Sequence, residues 1–160
     1  MADFSLESMA DFLLDLAVHM PMSEKSALAE AAQLVETEAK EEIGHYQGSA
    51  GPFAAWAPLK PDTIAHKANG DTPLLETGEM RDSIGTVVLD HEAHIGSNDD
   101  KAVWQELGTS RGIPPRSFLG GAAVRKSAEV KEVIGRHMHG ALIKPETTHA
   151  NGAAVSIPIK

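Results

Sequence analysis

The chain has no cysteine, which excludes a disulfide framework, a thiolate metal site and a cysteine nucleophile together. The absence fits a reducing compartment. No apolar run approaches the roughly 20 residues of a membrane span. The opening twenty residues, MADFSLESMADFLLDLAVHM, carry Asp3, Glu7, Asp11 and Asp15 and no lysine or arginine. A signal peptide starts basic and continues apolar, so the expected place of synthesis and folding is the cytoplasm. The nucleophile elbow G-x-S-x-G and the phosphate loop G-x-x-x-x-G-K-[ST] are missing. The glycines of Gly48-Ser49-Ala50-Gly51 lack the lysine and the strand–loop–helix setting of a phosphate cradle. There is no internal repeat and no low-complexity block.

A basic stripe is also lacking, and the formal net charge is −9. Most of it lies at one end: residues 1–44 hold ten acids against two lysines, whereas residues 45–160 are nearly balanced. Affinity for nucleic acid needs several lysines or arginines on phosphates, so a DNA-binding accessory is disfavoured. The acidic segment reads as a solvated helix face, or as a wall that DNA passes because like charges repel.

With 160 residues and 42% hydrophobic content, one domain with a core of its own is expected over 1–144, followed by a tail over 145–160. Leu6, Met9, Phe12, Leu13, Leu16, Ala17 and Met20 recur in steps of three and four, which predicts a helix capped by Ser5 and stopped at Pro21. A second, longer helix is expected from Ser23 to Ile43, with Leu28, Ala31, Ala32, Val35, Ala39 and Ile43 buried. Its alanines allow close approach. After a glycine- and proline-rich crossing loop, Pro61 opens a short helix. A turn-rich loop follows over 68–73, then a helical turn capped by Thr77.

Ile84 to Leu89 and Ala93 to Ser97 have strand composition around a short turn and predict a β-hairpin. Lys101 to Leu107 predicts another short helix with Val103, Trp104 and Leu107 buried, ended by Gly108. From Ser117 a final helix is expected, with Gly120 and Gly121 near its start explained by close packing or a hinge. The tail ends in AVSIPI, which suits an edge strand or a disordered end. The fold class is therefore α+β: a small antiparallel sheet with a central hairpin, packed against two N-terminal helices and one long C-terminal helix.

Candidate chemistry is thin. His137 and His139 sit two apart, and on a helix they point about 200° away from each other, which does not suit one shared ion. His91-Glu92-Ala93-His94 has its histidines three apart at a hairpin turn, whereas a zinc-protease motif needs them four apart on a helix. Asp99 and Asp100 read as cap and dipole partners of a helix start. A small metal-dependent hydrolase built from the scattered histidines is the enzyme alternative; the expectation is no enzyme, no cofactor and no metal. The stronger feature is Arg111-Gly112-Ile113-Pro114-Pro115-Arg116. Its di-proline has little conformational entropy left to lose, so it can present Arg116 and apolar neighbours to a partner, or serve as a rigid connector.

The stretch from Trp56 to Leu119 carries a resemblance. Trp56-x-x-Leu59, Leu74-Leu75-x-Thr77-Gly78-x-Met80-Arg81-x-Ser83-Ile84, Ile95-Gly96-Ser97, Glu106-x-Gly108-Thr109 and Pro114-Pro115-Arg116-x-Phe118-Leu119 occur in that order. This pattern, over roughly residues 56–123, resembles the tailed-phage neck family of virion morphogenesis, tail-completion and tail-to-head joining proteins. Members often have serine where this chain has Lys60, and tyrosine where it has Trp104. The resemblance implies a structural virion protein at the head–tail junction, assembled in the host cytoplasm. It implies a homo-oligomeric ring, commonly a hexamer, contacting neighbouring connector and tail-tube proteins, with DNA passing the bore. A tail terminator and a head-side adaptor are both compatible with it. The partner-contacting residues are then expected in two turns: Asn69 and Asp71 in the first, and Thr109, Arg111, Ile113, Pro114 and Arg116 in the second.

Overall fold

The computed structural model of the protein describes residues 6–143, so Ser5 as a cap and the tail over 145–160 lie outside the described residues. The chain is α+β, as its patterning predicts. Helix α1 spans Leu6–Glu42, α2 Pro61–His66 and α3 Glu79–Asp82; strands β1 (Ile84–Val88) and β2 (Ala93–Ser97) form a hairpin. Helices α4 (Asp100–Leu107), α5 (Leu119–Arg125) and α6 (Ser127–Ile143) complete the order.

The first correction concerns Pro21. The two expected N-terminal helices are one continuous helix of 37 residues with Pro21 inside it. A proline inside a helix costs about 3 kcal/mol, through one lost backbone bond and a clash with the carbonyl four residues back. Here Pro21 and Ala17 are exposed, so that carbonyl can turn to water. The helix is held on the other side by α6, which runs antiparallel along it. Ser23 Oγ, expected to cap a helix, instead donates to the His137 carbonyl at 2.8 Å. Further along, the Glu30 carboxylate meets Arg136 at 2.5 Å and His137 at 2.7 Å. Those two partners, His137 first, hold the Glu30 carboxyl below the usual glutamate range.

The second half of α1 makes the core. Ala31, Ala32, Val35, Ala39 and Ile43 are buried as the spacing predicts, whereas Leu28 is half-buried. Val35, Ala39 and Ile43 pack with Trp56, Met80, Ile84, Ala102, Phe118 and Ala122. The hairpin lies across α1 in antiparallel register from Ile84↔Ser97 to Val88↔Ala93. A two-stranded sheet is not stable alone, and this one is held by its packing face. Ile84 is buried there, and Thr86 Oγ1 donates to Glu36 at 2.7 Å, while Val87 points outward. Lys40 and Thr86 together hold the Glu36 carboxyl low.

The final helix is divided. Lys126 leaves helical geometry between α5 and α6, although the bonds Lys126 N–H to Ala122 and Val130 N–H to Lys126 carry the chain across. Gly120 and Gly121 answer to close packing. A Cβ at Gly120 would overlap the Phe53 ring, and one at Gly121 would come within 2.7 Å of the Arg125 guanidinium.

Two acids hold this corner. Glu106, in the last turn of α4, accepts from the Ser117 hydroxyl and from the backbone N–H groups of Phe118, Leu119 and Gly120 at 2.8, 3.0 and 2.9 Å. It caps α5 from across the fold, supplying what the first turn of any helix needs. Glu42, 2% exposed, pairs with Arg125 at 2.5 Å and ties α1 to α5. Burial outweighs that pairing and pushes its carboxyl up to about 7.

Two outcomes are expected in urea denaturation. Glu106→Ala strands three backbone donors and should cost about 3 kcal/mol or more, with Glu106→Gln less damaging because one oxygen remains. For Glu42, the folded carboxyl near 7 lies above its ordinary value of 4.5, so the folded state binds the extra proton between those values. Its contribution is complete below pH 4.5 and is lost as pH rises to 7. Glu42→Gln should flatten that part of the stability–pH curve relative to the parent protein.

Candidate partner-binding surface

The loop from Lys67 to Gly78 is built by its own polar groups. Asn69 is exposed, and its amide donates to the Glu76 carbonyl at 2.5 Å. Asp71, also exposed, accepts from the Tyr46 hydroxyl, which in turn accepts from the Leu59 N–H at 3.0 Å. The Asp71 carboxylate raises the Tyr46 pKa. Lys67 reaches the Leu75 carbonyl at 2.6 Å and Glu76 at 2.7 Å, and it holds the Glu76 carboxyl low. Tyr46 thereby joins the first predicted turn to the crossing loop.

The second turn is closed on itself. Thr109 N–H donates to the Ile113 carbonyl at 2.9 Å, and Thr109 Oγ1 accepts from the Ile113 N–H at 3.3 Å. Thr109, Ile113 and Pro114 are half-buried, and Arg111 stands exposed at the tip. Gly108, with φ 74°, is required at its base: a Cβ there would sit 2.9 Å from the Ile113 carbonyl. Among the described residues no hydrogen bond or ion pair joins the two turns.

Arg116 is not presented at the surface as expected. It is 5% exposed, and its Nε and Nη2 both donate to the Ala57 carbonyl, at 3.1 and 2.9 Å. The physical reason is the di-proline: it holds an extended strap whose following residue, pinned by Arg116 N–H to the Gln105 carbonyl at 2.6 Å, turns inward. No carboxylate lies within ion-pair distance of it among the described residues, and burial lowers its pKa.

Inverted exposure also marks α4. Val103, Trp104 and Leu107, expected inside, are 57%, 50% and 73% exposed, and Ala102 is the buried residue. The helix approaches the core through its smallest side chain, so its large ones face out. Beside Trp104 a groove of about 240 Å³ is bounded by Leu59, Leu74, Met80, Lys67, Lys101 and the buried Arg116. Leu74 on its wall has φ 63°, a left-handed conformation that costs a non-glycine residue about 1 kcal/mol or more. Lys101 is only loosely paired, 3.7 Å from both Glu79 and Asp99. Helix spacing alone gives no signal for this surface, because Val103, Trp104 and Leu107 repeat as a core face would.

The first half of α1 is exposed in the same way. Leu6, Met9 and Leu13, part of the predicted packing stripe, are 92%, 43% and 54% exposed, while Phe12, Leu16 and Met20 are half-buried. Leu14, Val18 and Met22, on another face, are each about two-thirds exposed. Large apolar side chains of α1 thus stand exposed on two faces of the helix. Among the described residues no three histidine or acidic side chains converge as a metal site, and no helix is long and apolar enough to cross a membrane.

The Tyr46 bridge has a direct check. Tyr46→Phe keeps the ring and removes the tie to Asp71, so amide exchange over residues 68–73 should rise roughly five- to tenfold, the equivalent of one hydrogen bond of about 1 kcal/mol. Compared with known proteins, the chain matches no family model, no curated protein and no solved structure.

Proposed function

We propose that the protein is a structural subunit of a tailed-phage virion, one that completes the tail and joins it to the head as part of a neck ring. The observation that carries this reading is the apolar surface left open on α1 and α4, at Leu14, Val18, Met22, Val103, Trp104 and Leu107. A subunit that functions alone would bury or avoid such faces, whereas a subunit repeated around an axis buries them against its neighbours. The ordered motifs between Trp56 and Leu119 support the same reading through their resemblance to neck proteins.

The mechanism is assembly. Complementary patches meet around a symmetry axis, and the ring closes where the rotation closes. With a net charge of −9, a surface lining the bore repels the DNA backbone and lets it slide. The turns at Asn69–Asp71 and Thr109–Arg111 stand out as contacts to the layers above and below. Their exposed polar tips suit an interface rim, where residues set register more than affinity.

Imaging tests this directly. The purified protein should form rings, commonly six-fold, and labelled protein should localise to the neck of assembled particles. Particles whose necks lack it, together with a monomer at every concentration, would refute the proposal.

A further inference from the structure

The apolar face Leu14–Val18–Met22 of α1 carries acids of its own. Asp11 and Asp15 lie on the same side, three residues before Leu14 and Val18 respectively, with Asp15 3.1 Å from the His19 ring, and no lysine or arginine occurs in the chain before Lys25. The face is therefore apolar and negative at once.

The groove beside α4 has the opposite sign. Its charged lining is Lys67, Lys101, Arg116 and Glu76. Glu76 is satisfied by Lys67 at 2.7 Å, which leaves Lys101 loosely held and Arg116 buried with no carboxylate within ion-pair distance among the described residues. A buried guanidinium that meets only a neutral carbonyl is short of one anionic partner. Trp104, half exposed on the groove's rim, supplies an apolar anchor of the kind that dominates interfaces.

The two surfaces cannot meet within one chain. The groove lies by the far end of α1, where Leu75 packs against Gly44, and a continuous helix places Val18 about 40 Å away at 1.5 Å per residue. The occupant that fits is the same helix of a second copy. We propose that the acidic, apolar face of α1 in one subunit docks in the groove beside Trp104 of the next, with Asp11 and Asp15 facing Lys101 and Arg116. Such a contact is head-to-tail: each subunit offers a helix and receives one, so it propagates into a ring or an open filament. The inference deepens the ring reading and rests on it only for closure.

The cysteine-free chain provides a clean test. Val18→Cys protein is mixed with Thr77→Cys protein, whose residue lines the groove, and oxidised. A mixed disulfide between the two variants is expected, with neither variant pairing efficiently with itself. A parallel mixture with Thr63→Cys, another lining residue, probes the second lip. Asp11→Lys combined with Asp15→Lys should raise the concentration for half-association by about tenfold, an effect that weakens with salt. Far-UV circular dichroism of that variant should match the parent.

Val18 homodisulfides in place of mixed ones would overturn the inference in favour of two-fold pairing of α1 helices. Rings with no mixed disulfide at either lip would overturn it while leaving the neck reading intact. Mixed disulfides in open filaments would uphold the contact and count against a closed ring. A chain that stays monomeric at every concentration would overturn both.

Discussion

The Glu106 carboxylate carries more of this architecture than any other single group. It takes the Ser117 hydroxyl and three consecutive backbone N–H groups, a concentration of donors normally met by a local cap. Because the acceptor sits on α4 and the donors on α5, one side chain sets the angle between the two helices. That angle drops Phe118 into the core with no exposed surface and brings the Ser117 carbonyl to Trp56 Nε1 at 3.3 Å. Next to this cap, Arg116 is held inward by the di-proline strap and donates to the Ala57 carbonyl at 2.9 Å.

The long N-terminal helix has two unlike halves. Its second half is an alanine-lined spine that the hairpin and α5 approach closely. Its first half contributes little to the core and leaves large apolar side chains facing out. A long helix in this position is stable because α6 supports it through Ser23, Glu30 and their partners, and that support also carries it past Pro21. The proposed subunit contact makes use of this division: one end of the helix folds the domain and the other extends to a neighbour.

Much of the fold was legible from the residues. The core stripe from Ala31 to Ile43, the hairpin with its short turn after Leu89, the helix opened by Pro61 and the stop at Gly108 follow from periodicity and turn chemistry, which act over a few residues. Pro21 misled because its penalty is local to one turn, whereas Ser23 and Glu30 beyond it tie the same helix to α6. Val103, Trp104 and Leu107 misled because a helical stripe reports which side chains share a face and not whether that face is covered. Arg116 misled because an arginine beside two prolines reads as surface, and its burial depends on a carbonyl 59 residues away.

By itself, the sequence determined the α+β class, most element positions, the absence of cysteine chemistry and the acidic bias of the first helix. These depend on composition and on interactions between residues near each other along the chain. Tertiary structure alone decided that α1 is continuous, that Glu106 caps a helix it does not belong to, and that the apolar faces of α1 and α4 remain open. Each of those outcomes is set by which surfaces meet across the fold, and short-range patterning carries no record of that.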